Sequence, residues 1–337
     1  MFHNKYIVKG SMGKWRKTIE GLFPVTKRYT KRRLDEIENK IKWIDRKVEH
    51  LDNNLTGRIF EQLPDYTVGL NFPQRRTKII VSVTSYSPRI QFVAPCLYSL
   101  LHQTYKPDLV FLWLSEGDFP LHEESLPQEI LKLKEIGLSI CWCEDIKPHK
   151  KYYEVMRQFP EDIVITADDD VIYPAKTIEL LYKEYQKDAT NVYATRVREI
   201  KMDKDTFLPY EKWPLYSGRC EKGPSLKLVP TGVGGVLYPP HSMDNELFDK
   251  GKIRELCLNT DDLWLKSMQL KKSTKVKKIY WPFDSINFVE GSQENALWEN
   301  NVCVENDACI NRLKDYFQRK SMEEYNNIIE RIKSETT

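Results

Sequence analysis

The sequence predicts an α/β protein, in which a mostly parallel sheet flanked by helices is preceded by an α-helical coiled coil. Short apolar runs alternate with helical patterns from residue 77 onward. Apolar residues recur at spacings of three and four from Leu34. A chain of 337 residues with 41% hydrophobic content is also long enough to bury a large core.

Residues 1–33 form a basic arm that contains ten Lys or Arg residues and a single acid, Glu20. Aromatic residues are interleaved with these cations, and such a mixture suits an anionic membrane surface. A solvated tail is the alternative, because glycines and Pro24 interrupt any long amphipathic helix. The sequence leaves both interpretations open.

Residues 34–60 carry a heptad pattern that predicts a coiled coil. With Leu34 at position a, each basic g residue lies five positions before an acidic e residue, so the pairs of a parallel assembly have opposite charge. A lone amphipathic helix would explain the apolar stripe but not this charge register. We therefore expect the chain to form a homo-oligomer, either a dimer or a trimer, through residues 34–55. A linker is expected over 61–76. The seam consists of Leu34, Ile37, Ile41, Ile44, Val48, Leu51 and Leu55.

The main domain is expected over 77–320, with a helical tail over 321–337. Strands are predicted at "KIIVSVT", "LVFLWL", "LSICW" and "DIVIT", and helices at "FVAPCLYSLLHQ" and "YYEVMRQF". Ligands of parallel sheets bind beyond the carboxyl ends of the strands. Asp168, Asp169 and Asp170 follow "DIVIT" directly, so they lie where a ligand is expected.

Three interpretations of this "ADDD" stretch compete. Asp168 and Asp170 could hold Mg²⁺ or Mn²⁺, because these cations prefer oxygen ligands. An aspartate could instead become phosphorylated, although such acid pairs are expected on the first strand of a domain. The acids could also cap a helix that begins near Pro174.

The motifs around this stretch make the first interpretation the strongest. Residues 77–310 resemble bacterial glycosyltransferases of the GT-A fold, a Rossmann-like architecture, and in particular family 2-like enzymes that build capsule or lipopolysaccharide glycans. Six stretches carry the resemblance in the order of that family: "VSVTSYSPRI", "SLLHQTYKPDLV", "EDIKPHKKYYEV", "ITADDDVIYP", "PTGVGGVLYPP" and "NTDDLWLK".

The resemblance implies a nucleotide diphosphate sugar as donor and Mn²⁺ or Mg²⁺ as cofactor. Asp168-x-Asp170 would hold the metal, with Asp168 and Asp169 also close to the donor. A lysine is a compact cation that suits phosphate; the alternative for the two lysines is a solvated helix start. The other residues implied at the donor are Thr84, Ser85, Arg89, Asp145, Lys150 and Lys151.

On the acceptor side the resemblance implies Gly234, Gly235 and Trp264, and it places the catalytic base at Asp261 or Asp262. An inverting transferase needs one carboxylate to take the proton of the acceptor hydroxyl. Alternatives remain for each residue: the glycines could form a tight turn, the tryptophan could fill the core, and one acid or Thr260 could cap a helix.

The pattern departs from the family at one point, since no histidine after His241 is available as a further metal ligand. The net charge of +3 gives no support for nucleic acid as a partner. The sequence contains no apolar run long enough to predict a membrane span or a signal peptide. The spacing of the seven cysteines is typical of neither a disulfide framework nor a zinc site.

The sequence therefore predicts a cytoplasmic, metal-dependent glycosyltransferase, in peripheral contact with the inner face of the cell membrane. It would transfer a hexose-type sugar to a glycan or lipid-linked glycan acceptor of the cell surface. The alternative is a non-catalytic coiled-coil scaffold with a GT-A domain that binds glycan or nucleotide. The second acid pair argues against that alternative.

Overall fold

A computed structural model describes residues 68–283, 286–292 and 305–335. The predicted arm, the predicted coiled coil and residues 61–67 of the predicted linker lie outside the described residues. None of the helices in the described ranges is long and apolar enough to cross a membrane.

Over residues 79–167 the strands and helices follow in the order that the sequence predicts, with one additional helix at 128–133. Over 192–238 short strands follow one another without an α-helix between them. The helices are α1 (Val93–Leu101), α2 (Gln128–Leu133), α3 (Lys150–Gln158), α4 (Thr177–Tyr185), α5 (Lys250–Leu256), α6 (Asp261–Lys272), α7 (Asn306–Lys320) and α8 (Met322–Ser334). The strands are β1 (Ile79–Thr84), β2 (Leu109–Ser115), β3 (Leu138–Cys143), β4 (Ile163–Ala167), β5 (Val171–Ile172), β6 (Val192–Ala194), β7 (Val197–Glu199), β8 (Met202–Asp203), β9 (Thr206–Phe207), β10 (Leu215–Tyr216), β11 (Lys222–Ser225), β12 (Leu228–Pro230), β13 (Val236–Tyr238), β14 (Val276–Lys278) and β15 (Asn287–Phe288).

The central sheet has eight strands in the order β11-β14-β6-β13-β4-β1-β2-β3. Strands β1 to β4 pair in parallel, and β14 pairs in parallel with β6. Strand β13 runs antiparallel to both β4 and β6, and β11 is antiparallel to β14. The expected α/β class with a mostly parallel sheet is confirmed, and the antiparallel β13 is a feature that the sequence did not predict.

The sheet is covered on both faces because successive strand residues point to opposite sides. In β1, Ile79, Val81 and Val83 pack into one apolar cluster with α1. Ile80 belongs to a second cluster, in which it meets Val155 of α3. Strands that are buried on both faces read as continuous apolar runs, which is why "KIIVSVT" and "DIVIT" were recognisable.

The C-terminal helices close the part of the core around β6, β12 and β13. Phe317 of α7 and Tyr325 and Ile329 of α8 belong to one apolar cluster with Trp264 of α6. Ser321 caps α8, since its side chain accepts a hydrogen bond from the Glu324 amide at 3.1 Å. These helices are therefore part of the packed domain.

Candidate functional site

Six segments converge at the carboxyl edge of the central sheet. Strands β1, β4 and β6 end there, and helices α3 and α6 begin there as parts of crossover connections. The start of β13 pairs with the end of β4, Val236 opposite Thr166, and this antiparallel pairing brings the preceding turn Gly232–Gly234 to the same edge. The carboxyl edge is thus lined by both predicted acid groups.

Lys151 joins the two acid groups. Its Nζ lies 2.7 Å from Oδ1 of Asp168, at the end of β4, and 2.9 Å from Oδ2 of Asp261, at the start of α6. Its side chain is buried, with 5% of the residue exposed. Burial alone would lower the pKa of Lys151, but Asp168 and Asp261 outweigh burial and raise it well above its usual value. The ammonium therefore stays charged between the two carboxylates, and the alternative of a solvated helix start is wrong.

Arg89 compensates the other two acids of the triplet. Its Nη2 lies 2.7 Å from Oδ2 of Asp170 and 3.1 Å from Oδ1 of Asp169, and Ser85 donates a hydrogen bond of 2.5 Å to Oδ2 of Asp169. Burial raises the pKa of Asp169 to about 6, although Arg89 opposes that shift. Consecutive carboxylates are tolerated here because two buried cations lie among them.

The three acids do not cap the helix that follows them. Helix α4 begins at Thr177, after Lys176, without a capping side chain. The third interpretation of the acid stretch is therefore wrong for this helix.

Asp262 is the least restrained acid at the edge. Its Oδ2 accepts a long hydrogen bond of 3.4 Å from the Gly232 amide, and the residue is half-buried, whereas Asp261 is buried. Burial raises the pKa of Asp262 to about 8, and the neighbouring charge of Asp261 adds to the shift. Thr260 makes no capping hydrogen bond at the start of α6; its hydroxyl donates to Sγ of Cys309 at 2.9 Å. Asp262 is thus the carboxylate of this pair that has room for a ligand.

Gly232 is the glycine that contacts the site. A Cβ atom at this position would lie 2.7 Å from both Oδ1 of Asp168 and Nζ of Lys151. Gly234 instead approaches Thr195, and Gly235, with φ of +88°, lies in the left-handed region beside Tyr173. The glycines form a tight turn ahead of β13, as the alternative interpretation had it, and that turn packs on Lys151.

The remaining donor residues lie near the same edge with partners of their own. Asp145 follows β3 and pairs with Lys150 at 2.9 Å and with Lys147 at 2.5 Å. Burial alone would raise the pKa of Asp145, but hydrogen bonds from these lysines lower it well below its usual value. The Thr84 hydroxyl donates to the Trp113 carbonyl at 2.8 Å, so it stabilises the pairing of β1 with β2.

Trp264 lies in the core, and its prediction as an acceptor residue is wrong. It is 0% exposed, and its Nε1 donates to the Leu247 carbonyl at 3.1 Å. A side chain without exposed surface cannot stack on a sugar.

Two residues at this edge were not predicted from the sequence. Arg196 follows β6; burial lowers the pKa of its guanidinium, and the charges of Asp262 and Asp168 oppose that shift. Tyr210 is buried, and the neighbouring charge of Asp262 adds to the burial that raises its pKa to about 12. Neither residue stands in a motif that reasoning on sequence alone could use.

The described residues contain no group of three or more His, Cys, Asp or Glu side chains placed to hold a metal ion. Mg²⁺, however, is commonly held by one or two carboxylates together with substrate phosphates. Five carboxylates of the edge are accompanied by three cationic side chains, which leaves an excess of negative charge when all are ionised. The donor set and the charge balance therefore fit a divalent cation that arrives with a diphosphate. The carboxylates are Asp168, Asp169, Asp170, Asp261 and Asp262, and the cations are Lys151, Arg89 and Arg196.

No protein-family model and no curated protein matches the sequence. Similar solved structures include a mannosyltransferase from Pyrobaculum calidifontis in complex with GDP-Man and Mn²⁺, with 12% identity and a TM-score of 0.42 over 88% of this chain and 80% of that one. A CMP:2-keto-3-deoxy-manno-octonic acid synthetase complexed with CTP has 12% identity and a TM-score of 0.36, over 62% of this chain and 91% of that one. A 4-diphosphocytidyl-2C-methyl-D-erythritol synthase has 10% identity and a TM-score of 0.35, over 54% and 85%. Likenesses this weak carry no argument about substrate or reaction.

Proposed function

We propose that this protein is a glycosyltransferase of the GT-A type, which transfers a sugar from a nucleotide diphosphate sugar to a glycan intermediate of a bacterial surface polymer such as capsule or lipopolysaccharide. One observation supports this proposal above the others. Lys151 holds Asp168 and Asp261 at 2.7 Å and 2.9 Å, so the acids expected at the donor and at the acceptor share one buried cation.

In this proposal Asp168 and Asp170 would hold Mn²⁺ or Mg²⁺. When bound, such a cation neutralises charge on the leaving diphosphate. Asp170 is paired with Arg89 and Asp168 with Lys151. Since both carboxylates are already held by cations, their positions are set before a ligand arrives, which reduces the ordering cost of binding.

Asp262 is assigned the role of general base. It is less buried than Asp261, and it has no cation within salt-bridge distance in the described part of the chain. A base must reach the hydroxyl whose proton it accepts, so an unrestrained carboxylate suits this role better than one fixed by Lys151. Asp261 then acts as a positioning residue, and the sugar is transferred with inversion.

The rival function is binding without turnover, as in a scaffold with a GT-A domain. A panel of nucleotide sugars distinguishes the two, with donor binding measured by calorimetry and donor hydrolysis measured by release of nucleotide diphosphate. We expect one donor to bind and to be hydrolysed slowly in the presence of Mn²⁺. Binding of a donor without any hydrolysis or transfer supports the scaffold, and failure of every donor to bind contradicts the transferase and a scaffold that binds nucleotide.

The role of a metal ion in donor binding is tested by the same calorimetric measurement. Asp168→Asn and Asp170→Asn are expected to abolish Mn²⁺-dependent donor binding, whereas Asp169→Asn has a smaller effect. Asp203→Asn, at an exposed position of β8, is the matched control. Equal donor affinity with and without EDTA in the wild type would show that no metal takes part.

A further inference from the structure

Arg196 is an arginine at the site with almost no partner. It follows β6 at the carboxyl edge of the sheet. Its side chain makes one hydrogen bond with described residues, from Nη1 to Oγ1 of Thr231 at the long distance of 3.5 Å. Within the described ranges no carboxylate lies within salt-bridge distance of it. A guanidinium carries five N–H donors, so most of its binding capacity is unused.

The next arginine along the chain provides the comparison. Arg198 donates from Nη1 to the Trp213 carbonyl at 2.8 Å, and its guanidinium stacks on the Tyr210 ring at 4.8 Å. Arg198 thus fixes the segment that holds Tyr210. Arg196 lies in the short connection between β6 and β7, whereas Arg198 lies within β7 and is used for packing.

The surroundings of Arg196 are those of the proposed base. Thr231, which accepts the hydrogen bond of Arg196, directly precedes Gly232, whose amide donates to Oδ2 of Asp262 at 3.4 Å. The charges of Asp262 and Asp168 also act on the Arg196 guanidinium. Partial burial of a guanidinium that has few hydrogen-bond partners is unfavourable, because the group loses contacts with water. A bound anion would offset this loss of free energy. The fork of N–H groups matches a carboxylate or a phosphate in particular.

We infer that Arg196 is a specificity-determining residue that binds an anionic group, a carboxylate or a phosphate, of the acceptor beside Asp262. The inference rests on the proposed function, and it narrows the acceptor to sugars that carry a negative charge. Because several carboxylates line the edge, a neutral acceptor would gain nothing from Arg196, and an anionic acceptor would be repelled without it.

The test compares three probe sugars, which are glucose, glucuronate and glucose 6-phosphate, by calorimetry on the full chain with Mn²⁺. We expect at least one anionic sugar to bind roughly tenfold or more tightly than glucose, and its identity tells carboxylate from phosphate. Arg196→Met should reduce that affinity to the level of glucose. Arg157→Met, which removes an exposed arginine, is the matched control.

Two outcomes overturn the inference. Wild type that binds the three sugars equally has no anion site, and an anionic preference that survives in Arg196→Met places the site elsewhere. Arg196→Gln provides the same comparison should the methionine variant fail to fold. Binding of nucleotide diphosphate is measured separately: a protein that binds the anionic sugar but no nucleotide contradicts the proposed function alone, whereas weaker nucleotide binding in Arg196→Met with an unchanged sugar preference assigns Arg196 to the donor.

Discussion

At the scale of single residues, the chemistry of this edge depends on how each carboxylate is compensated. Asp168 and Asp261 share Lys151, Asp169 and Asp170 share Arg89, and Asp262 receives a single long hydrogen bond. The same residue type therefore has three environments. Reactivity is expected where the carboxylate is free to approach a ligand, and strength of binding where it is fixed.

This difference gives the first prediction, which concerns the proposed base. Asp262→Asn should lower kcat by about 10²- to 10⁴-fold, as is typical when a general base is lost, and should leave donor affinity nearly unchanged. Asp261→Asn removes one of the two carboxylates that hold Lys151, so it should weaken donor binding and lower stability as well. Steady-state kinetics with donor calorimetry separates the two effects. Full activity in Asp262→Asn would rule out this assignment, and full activity in both single variants and in the double variant would exclude a base at either position.

The second prediction concerns Lys266, a buried lysine of α6 that the proposed mechanism does not use. It is 3% exposed, its Nζ has no hydrogen-bond partner among the described residues, and Glu335 is the one carboxylate whose charge supports its protonation. Burial lowers its pKa from 10.5 to about 7. Between these values the unfolded chain holds the proton and the folded chain does not, so the free energy of unfolding rises with pH across this window.

Lys266→Met should therefore stabilise the protein at pH 7, by about 1–4 kcal/mol, and should flatten the dependence of stability on pH between about 7 and 10. Urea unfolding at several pH values measures both effects. Lys272→Met, at the exposed end of the same helix, is the control and should change neither. Destabilisation by Lys266→Met at pH 7 would mean that the ammonium is well compensated in the folded state.

The sequence identified acids and lysines of the site because they stand in motifs next to recognisable strands. It placed Trp264 at the acceptor, since a tryptophan beside acids reads the same whether it lines a cleft or fills a core. Arg196 went unnoticed because it follows a strand of only three residues. Burial and the number of partners are properties of the folded chain, and a sequence pattern does not contain them.

At the scale of secondary-structure elements, the turn Gly232–Gly234 is placed by the direction of β13. A strand parallel to β4 would have brought its far end, and not this turn, to the site. The first four strands were predicted closely because each is a long apolar run. The direction of β13 was not predictable, because a strand of three residues carries too little pattern.

Gly232→Ala is the third prediction. The added Cβ would lie 2.7 Å from Oδ1 of Asp168 and from Nζ of Lys151, so these side chains must move. Both atoms are the ends of side chains, and we expect a loss of stability below about 1 kcal/mol together with a loss of metal-dependent donor binding. Thermal unfolding and calorimetry provide the two readouts. Gly117→Ala, where the nearest atom lies at 3.5 Å, is the control. Unchanged donor affinity in Gly232→Ala would remove this turn from the site.

At the scale of the whole molecule, the sequence outside the described residues adds properties that the proposed chemistry does not require. We propose that heptads over 34–55 join several chains in parallel and bring their basic arms to one end. Several weak contacts to an anionic membrane would then act together, because each bound arm raises the effective concentration of the next. The catalytic domain would thus be held near a lipid-linked acceptor.

The fourth prediction tests this arrangement. The double variant Ile41→Asp, Ile44→Asp places charges in the apolar seam, so it should be monomeric in light scattering and should sediment less with anionic liposomes than the wild type does. A wild type that is monomeric at micromolar concentration contradicts the coiled coil. A monomeric variant that sediments as well as the wild type contradicts the link between assembly and membrane binding.

The bridge made by Lys151 also bears on the order in which the protein becomes competent during translation. Asp168 leaves the ribosome soon after Lys151, whereas Asp261 and Asp262 follow only after β6 to β13. A nascent chain of the first half can have its donor-side acids, but it has neither the second carboxylate that fixes Lys151 nor the proposed base. An unfinished chain that bound a nucleotide sugar could not hydrolyse it with Asp262 as the base. Under the proposed function, incomplete copies of the chain would therefore not consume nucleotide sugar by this route.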